Sequence, residues 1–485
     1  MSKILFSKKF ISLFGAAVFL TNTALYSQTE IAKSEVTSLK LSTSEKLTKE
    51  LDDMVNTNEY YKVPGIGVII YKDGKEVYSH FAGRAYIDEK NPANDRPLTR
   101  NTRFRIASIS KQFTAITIMQ LVEEGKIKLD ADAGEYLGYS LRNPNFPDVT
   151  ITVRMLLAHT SSIRDGMCYT IPPYLSLKEC FNPKGKFWEN GAHFASKAEE
   201  PGIYFCYSNL NYVLLGAIIE KVTGERFDIY QKKHVLSQLD TKADYIAANM
   251  EDTEFNNLAA IYQKSDDCDV WNEHGSWFAK CDDFSVKPSY KDAVQSKNSF
   301  AVLYDFPGKY STVYSFDKYK VGENPSFLGP QGSLRISLPE IGNMLMMFGN
   351  CGKFNEYQVL QPDSIKEMCK AQWTYDPKLQ NGKTYGDTLL KYGLGTILID
   401  GDTKAKGCEK YKVDLVGHTG ECYGLLAGAY RFVAKPQDGF VFTVNGEAVQ
   451  EDNDPRSYGI FSSNYIWEEK IMDSIIQAMV EDKTE

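Results

Sequence analysis

The chain has 485 residues, 43% of them hydrophobic and 24% charged, with a formal net charge of −8. This is a globular composition, long enough for a large core or two lobes, and it excludes disorder outside the ends. With an acidic balance and no basic block, nothing supports a nucleic-acid partner.

Residues 1–27 stand apart. Lys3, Lys8 and Lys9 form a basic start, residues 10–20 are largely apolar, and small and polar residues follow. This pattern predicts a secretory signal peptide cleaved near Ser27 and Gln28. The apolar stretch is too short to span a bilayer comfortably, and no later segment is long enough. The expectation is an exported protein, periplasmic or extracellular, without an integral membrane span once the signal is removed. Removal takes away three lysines and no acid, which moves the formal charge from −8 to −11. Residues 28–41 read as a polar leader.

Residues 44–55 carry a helical pattern. Residues 65–71 and 76–81 read as strands joined by a turn at 72–75, a hairpin. Residues 108–124 predict a helix closed by Gly125, with Ile109, Phe113, Ile116 and Met119 at helical spacing. Helices are also expected at 152–158, 211–222 and 339–348. Residues 165–200 and 245–327 lack a clear period and read as excursions or lid-like loops. Their aromatics, Trp188, Trp271, Trp277, Phe278 and Tyr310, either line a cleft or fill a satellite core. Strand patterns follow at 393–399, 424–432 and 440–444, then a last helix at 464–480. Strands at both ends and helices between predict an α+β fold, with one sheet built from N- and C-terminal segments. The sheet lobe would span about 42–100 and 330–485, and an inserted helical lobe about 101–329.

Nine cysteines in an exported chain suggest disulfides. Pairing sequence neighbours joins Cys168 to Cys180, Cys268 to Cys281, Cys351 to Cys369 and Cys408 to Cys422, leaving Cys206 as a buried thiol. The alternative is a set of reduced, buried cysteines. No C-x-x-C or H-x-x-x-H cluster occurs, so neither a metal nor another cofactor is expected.

Three segments could carry chemistry. Ser108-Ile109-Ser110-Lys111 puts a hydroxyl and an amine one helical turn apart, where the amine can take the serine proton. About two S-x-x-K matches are expected by chance in a chain this long, and Ser315-Phe316-Asp317-Lys318 is a second one. That copy runs into Gly322 and Pro325, whereas Ser108 opens a long helical pattern whose N-terminus favours an oxyanion. Tyr207-Ser208-Asn209 offers a phenol to relay a proton and an amide to orient Lys111 or a substrate carbonyl. Gly417-His418-Thr419-Gly420 precedes a strand pattern and could bring a strand edge against a substrate.

In order and context these motifs resemble the class C β-lactamase and penicillin-binding-protein-like serine hydrolases, whose S-x-x-K and Y-x-N motifs they match. The resemblance runs from about Val63 to Gly446. It includes Val63-Pro64-Gly65-Ile66-Gly67-Val68, Phe104-Arg105-Ile106-Ala107-Ser108, Leu156-Leu157-Ala158-His159-Thr160-Ser161, Leu215-Gly216 and Tyr392-Gly393-Leu394-Gly395. It implies a β-lactamase/transpeptidase-like fold with an antiparallel sheet, and an acyl-enzyme on Ser108. Lys111 with Tyr207 would accept the proton, and the backbone N–H groups of Ser108 and Glu421 would hold the oxyanion. Asn209 would position the substrate, with His418, Thr419 and Gly420 on the opposite wall.

Of three departures, two bear on the substrate, a small molecule or a peptide, and the third, at Ser162, on a loop. His418 stands where β-lactamases carry lysine, and histidine is mostly neutral at neutral pH. Glu421 follows Gly420 where relatives often have a small residue, and a carboxylate facing the cleft would favour a neutral or cationic substrate. Ser162 replaces an expected glycine. His159 reads as a structural hydrogen-bonding residue rather than a base. The leading expectation is hydrolysis of an ester or a peptide-like amide, D-amino-acid peptides included. A β-lactamase and a catalytically silent scaffold for a peptide or glycan are the competing readings.

Overall fold

The computed structural model describes residues 38–56, 63–88, 90–167, 169–265, 275–283, 303–305, 309–311, 319–403, 407–446 and 466–481. The expected signal peptide, the leader up to residue 37, the second S-x-x-K motif, Trp271, Cys168 and Cys268 lie outside them.

Five helices and nine strands frame the site. The helices are α1 (Leu41–Asn56), α2 (Ser110–Glu123), α3 (Asn209–Thr223), α4 (Leu338–Gly349) and α5 (Ile466–Glu481). The strands are β1 (Gly65–Lys72), β2 (Lys75–Tyr86), β3 (Arg96–Pro97), β4 (Trp373–Thr374), β5 (Lys391–Tyr392), β6 (Ile397–Ile399), β7 (Leu415–Cys422), β8 (Leu425–Phe432) and β9 (Gly439–Asn445). They form one antiparallel sheet in the order β4-β5-β6-β7-β8-β9-β1-β2-β3. The N-terminal hairpin thus zips onto the C-terminal strands, with Gly65 opposite Asn445 and Ile70 opposite Phe440.

Side-chain alternation in the central strands explains why this sheet is covered on both faces. Ile66, Val68 and Ile70 of β1, with Phe440, Phe442 and Val444 of β9, pack under α1 and α5 beside Trp467, Ile471 and Ile475. Ile69 and Tyr71 of β1, with Ala427 and Ala429 of β8, face the second core, which holds α2, α3 and α4. Helix α2 is buried almost all round, from Ser110 to Met119, so it is the central helix of its layer rather than an amphipathic surface helix. A short ladder, Arg103–Arg105 against Arg335–Ser337, stands just before the segment that leads into α2. Among the described residues no helix is long and apolar enough to cross a membrane.

Two expectations are corrected. The pattern at 393–399 is not one strand, because Gly395 at φ 71° breaks it after β5 and before β6. Among the described residues the expected disulfide framework is not formed either, the Cys168–Cys180 pair lying outside what they can show. Cys206 is a buried thiol, as expected, but Cys281, Cys351, Cys369 and Cys422 are free as well. Cys351 is exposed on a left-handed turn, whereas Cys369 accepts from the Arg431 guanidinium at 3.1 Å. Cys408 belongs to the core under α5, whereas Cys422 packs against the core on the other face, so the sheet separates them.

Candidate active site

Ser108 lies in a 3-10 turn, Ala107–Ile109, that runs straight into α2. Ala107 is held at φ 48°, a left-handed conformation that costs an L-residue about 1 kcal/mol. Such a bend, with Ile106, Ala107 and Ile109 buried around it, leaves Ser108 part-exposed at the cavity wall.

Lys111, one turn on, is fully buried. Its Nζ lies 2.9 Å from each of Ser108 Oγ, Asn209 Oδ1 and the Gln331 carbonyl oxygen. Burial pulls its pKa down to about 7, against the opposing pull of Asp165 and Cys422. Near pH 7 a large share of the amine is therefore neutral. A neutral amine has two N–H groups and one lone pair. The two carbonyl-type oxygens take the N–H groups, and the lone pair is left for the Ser108 proton.

The Tyr207 ring lies beside the same amine, 4.8 Å from its centroid to Lys111 Nζ. Burial pushes its phenol well above the usual range, although Ser108 draws it back. The phenol stays protonated at neutral pH, so of the two expected proton acceptors only Lys111 has its basic form available. Tyr207 is suited to handing on a proton.

Asn209 is the first residue of α3, and its Nδ2 donates to Asp165 Oδ2 at 3.1 Å. His159 packs against the Tyr207 ring with centroids 4.2 Å apart. Its Nδ1 accepts from the Ser208 amide at 3.2 Å and from Asn211 Nδ2 at 3.1 Å. Burial and the nearby Lys111 hold its pKa well below the usual value. It therefore braces the turn that carries Tyr207. Ser162 sits at φ 63°, where a glycine would be unstrained, and its hydroxyl accepts from Asn143 at 3.2 Å.

Strand β7 supplies the facing wall. His418 is buried, with Nδ1 donating to the Thr419 carbonyl at 2.6 Å and Nε2 lying 2.9 Å from the Tyr392 hydroxyl. Thr419 donates to Glu468 Oε1 at 2.9 Å and is also bonded to the Tyr430 hydroxyl. At Gly420 a Cβ would fall 2.2 Å from the Ile106 carbonyl oxygen, so only glycine lets β7 press against the nucleophile turn. Glu421 is exposed and lines the cavity.

The cavity holds about 680 Å³ and is lined by Ser108, Tyr207, Asn209, His418, Thr419 and Glu421, with Arg105, Tyr169, Tyr385, Tyr423 and Glu468. The eight expected site residues thus come together: six line the cavity, Lys111 lies beneath Ser108, and Gly420 backs the turn. Of the excursion aromatics, Trp188 packs edge-on to Phe194 in the core, and Trp277 and Phe278 lie on the hairpin Ile261–Ser265 with Ser276–Cys281. From the 165–200 excursion it is Tyr169 that lines the cavity, with Tyr207, Tyr385 and Tyr423. Sequence reading missed Asp165, Gln331 and Glu468. Gln331 acts through its backbone, which no side-chain pattern reveals. Glu468 did leave a signal, because it sits in the stripe of Ile471, Met472 and Ile475, where an acid is out of place.

A family model described as Beta-lactamase matches residues 47–462. The chain is 31% identical over 183 residues to Protein flp of Staphylococcus aureus (strain MW2), covering 37% of this chain and 34% of that protein. It is 31% identical over 194 residues to Penicillin-binding protein 4* of Bacillus subtilis (strain 168), covering 39% of this chain and 38% of that protein. The match thus spans only about a third of these curated relatives. The fold is similar to that of D-amino acid amidase from Ochrobactrum anthropi SV3, solved with L-phenylalanine amide, at TM-score 0.59 and 19% identity over 91% of this chain and all of that one. With most of its length matched by the family model, and with a sheet and helical layer of this type, the chain belongs to the Beta-lactamase family of serine β-lactamase and penicillin-binding-protein-like proteins.

Proposed function

We propose that this chain is an exported serine hydrolase that opens an ester or peptide-like amide bond through an acyl-enzyme on Ser108. The observation that carries this reading is the Lys111 amine, 2.9 Å from Ser108 Oγ with a pKa pulled down to about 7. Ser108 Oγ attacks the carbonyl carbon as Lys111 takes its proton. The oxyanion is held by the backbone N–H groups of Ser108 and Glu421. As the tetrahedral intermediate collapses, the bond to the leaving group breaks, and the proton returns through Tyr207 to the departing oxygen or nitrogen. Water then adds to the acyl carbon, with Lys111 taking its proton, and Ser108 leaves as the hydroxyl.

The wall opposite Ser108 favours an ester or amide over a β-lactam. His418 commits both ring nitrogens to Tyr392 and Thr419 and stands in place of a permanent cation. Glu421 and Glu468 line the same cavity and disfavour a substrate carboxylate there. The similar fold of a D-amino acid amidase supports amides and peptides of D-amino acids as the substrates to try first.

The test treats the purified protein with a fluorophosphonate and locates the adduct by mass spectrometry. Labelling at Ser108, absent in Ser108→Ala, is expected. A folded, unlabelled protein would sink the enzyme reading and favour a silent binding scaffold. A panel of p-nitrophenyl esters, D-alanyl peptides, D-amino acid amides and nitrocefin then ranks substrates, and fastest turnover of nitrocefin would replace this reading with a β-lactamase.

A further inference from the structure

Asp165 lies at the start of an excursion that reads as a lid in the sequence, and no catalytic motif includes it. Its carboxylate nevertheless gathers three donors from the segment that carries Tyr207 and Asn209. Oδ1 accepts from the Ser208 hydroxyl at 2.8 Å and from the Leu210 amide at 2.9 Å, and Oδ2 accepts from Asn209 Nδ2 at 3.1 Å.

The third bond matters most. A side-chain amide has two ends that differ in chemistry but hardly in shape. Because Nδ2 is held by a carboxylate, which only accepts, Oδ1 must be the end that meets Lys111 Nζ at 2.9 Å. If the amide turned over, an N–H would face the amine. Lys111 would lose one of the two acceptors that occupy its N–H groups, and its lone pair would no longer be confined to Ser108.

We propose that Asp165 is a positioning residue for the nucleophile pair: it fixes the Asn209 amide so that the Lys111 lone pair faces Ser108 Oγ. The chain of contacts runs carboxylate, amide, amine, hydroxyl. A carboxylate that orients a base through a hydrogen bond plays the same part in serine hydrolases with a histidine base. Here the amide is interposed because a lysine needs acceptors around it rather than a second ring nitrogen.

The carboxylate also acts on Lys111 through its charge. The groups packed around the amine are the Tyr207 and Tyr212 rings, His159, the Cys422 thiol and Asp165. Burial keeps the phenols and the Cys422 thiol protonated and His159 neutral at neutral pH. Asp165 is the negative charge that raises the Lys111 pKa against burial. Removing that charge lowers the pKa, so the pH at which the base becomes available moves down.

This inference rests on Ser108 as nucleophile, and the experiment separates the two. The rate constant for fluorophosphonate labelling of Ser108 is measured against pH in the wild-type chain, Asp165→Asn and Asp165→Glu, with folding checked by circular dichroism. In Asp165→Asn the acid limb is expected to move to lower pH and the plateau to fall by about tenfold or more. In Asp165→Glu, which keeps the charge but displaces it by a methylene, the plateau falls and the limb stays. If Asp165→Asn does not fold, Asp165→Glu alone decides on its plateau. A wild-type plateau in the folded variants overturns the proposal. So does a fall in Asp165→Asn with the limb unmoved, which marks a helix cap and no more. Absence of labelling in the wild-type chain instead defeats the nucleophile assignment itself.

Discussion

At the scale of single residues, Lys111 shows how burial readies an amine for the proposed role of base. An exposed lysine with a pKa near 10.4 is almost wholly protonated at neutral pH and cannot take a proton. Enclosure brings this one to about 7. The amine must be neutral to act, so acylation is lost as the pH falls below the pKa and levels off above it. The rate of p-nitrophenyl ester acylation is therefore expected to rise through a midpoint near pH 7, and a flat profile from pH 5 to 9 would contradict a lysine base. Lys111→Met, close in volume and without the amine, is expected to lower the plateau by about a hundredfold or more. The motif at 108–111 was legible because it is local. The pKa was not, since it depends on burial and on Asp165 and Cys422, which only the fold brings to the amine.

At the scale of elements, the site is a helix and a strand pressed together without a side chain between them. The strand patterns at 424–432 and 440–444 matched β8 and β9 within a residue or so, because an unbroken run buried on both faces and bounded by turn residues marks a central strand. The short strands β4 and β5 left no such signal at two residues each. Gly417-His418-Thr419-Gly420 was legible as a strand edge, but the reason for Gly420 was not. It is the Ile106 carbonyl, 2.2 Å from where a Cβ would stand. Gly420→Ala is expected to push β7 away from the nucleophile turn and cut acylation by about a hundredfold, while the Ser108 to Lys111 hydrogen bond survives. Hydrolysis kinetics and a crystal structure of the variant would check this, and unchanged kcat/KM would show that the close approach has no role.

At the scale of the molecule, the sheet from both chain ends was readable from where the strand patterns fell. The disulfide framework was not: Cys408 and Cys422, neighbours in sequence, lie on opposite faces of the sheet. One buried acid, remote from the motifs, couples the fold to pH. Glu220 of α3 accepts from the Tyr319 hydroxyl and from the Phe227 and Gly322 amides. Burial raises its pKa from 4.5 to about 7. The unfolded chain releases this proton first, so the stability it contributes is full below about pH 4.5 and is lost as the pH rises through about 7. The loss amounts to at most about 1.4 kcal/mol per pH unit across that window. In urea unfolding, Glu220→Gln is expected to remove this part of the slope, and identical pH profiles for the two proteins would refute the assignment.

The pairing of β1 with β9 also sets the order in which the molecule can come into being. Residues 65–72 must wait for residues 439–445 before their edge is satisfied, and such long-range pairing makes folding slow. Ser108 is synthesised long before Glu421, so the growing chain carries its proposed nucleophile without the wall that faces it. The hydrolase can switch on only after nearly all of its sheet has been made, which leaves the unfinished polypeptide chemically silent.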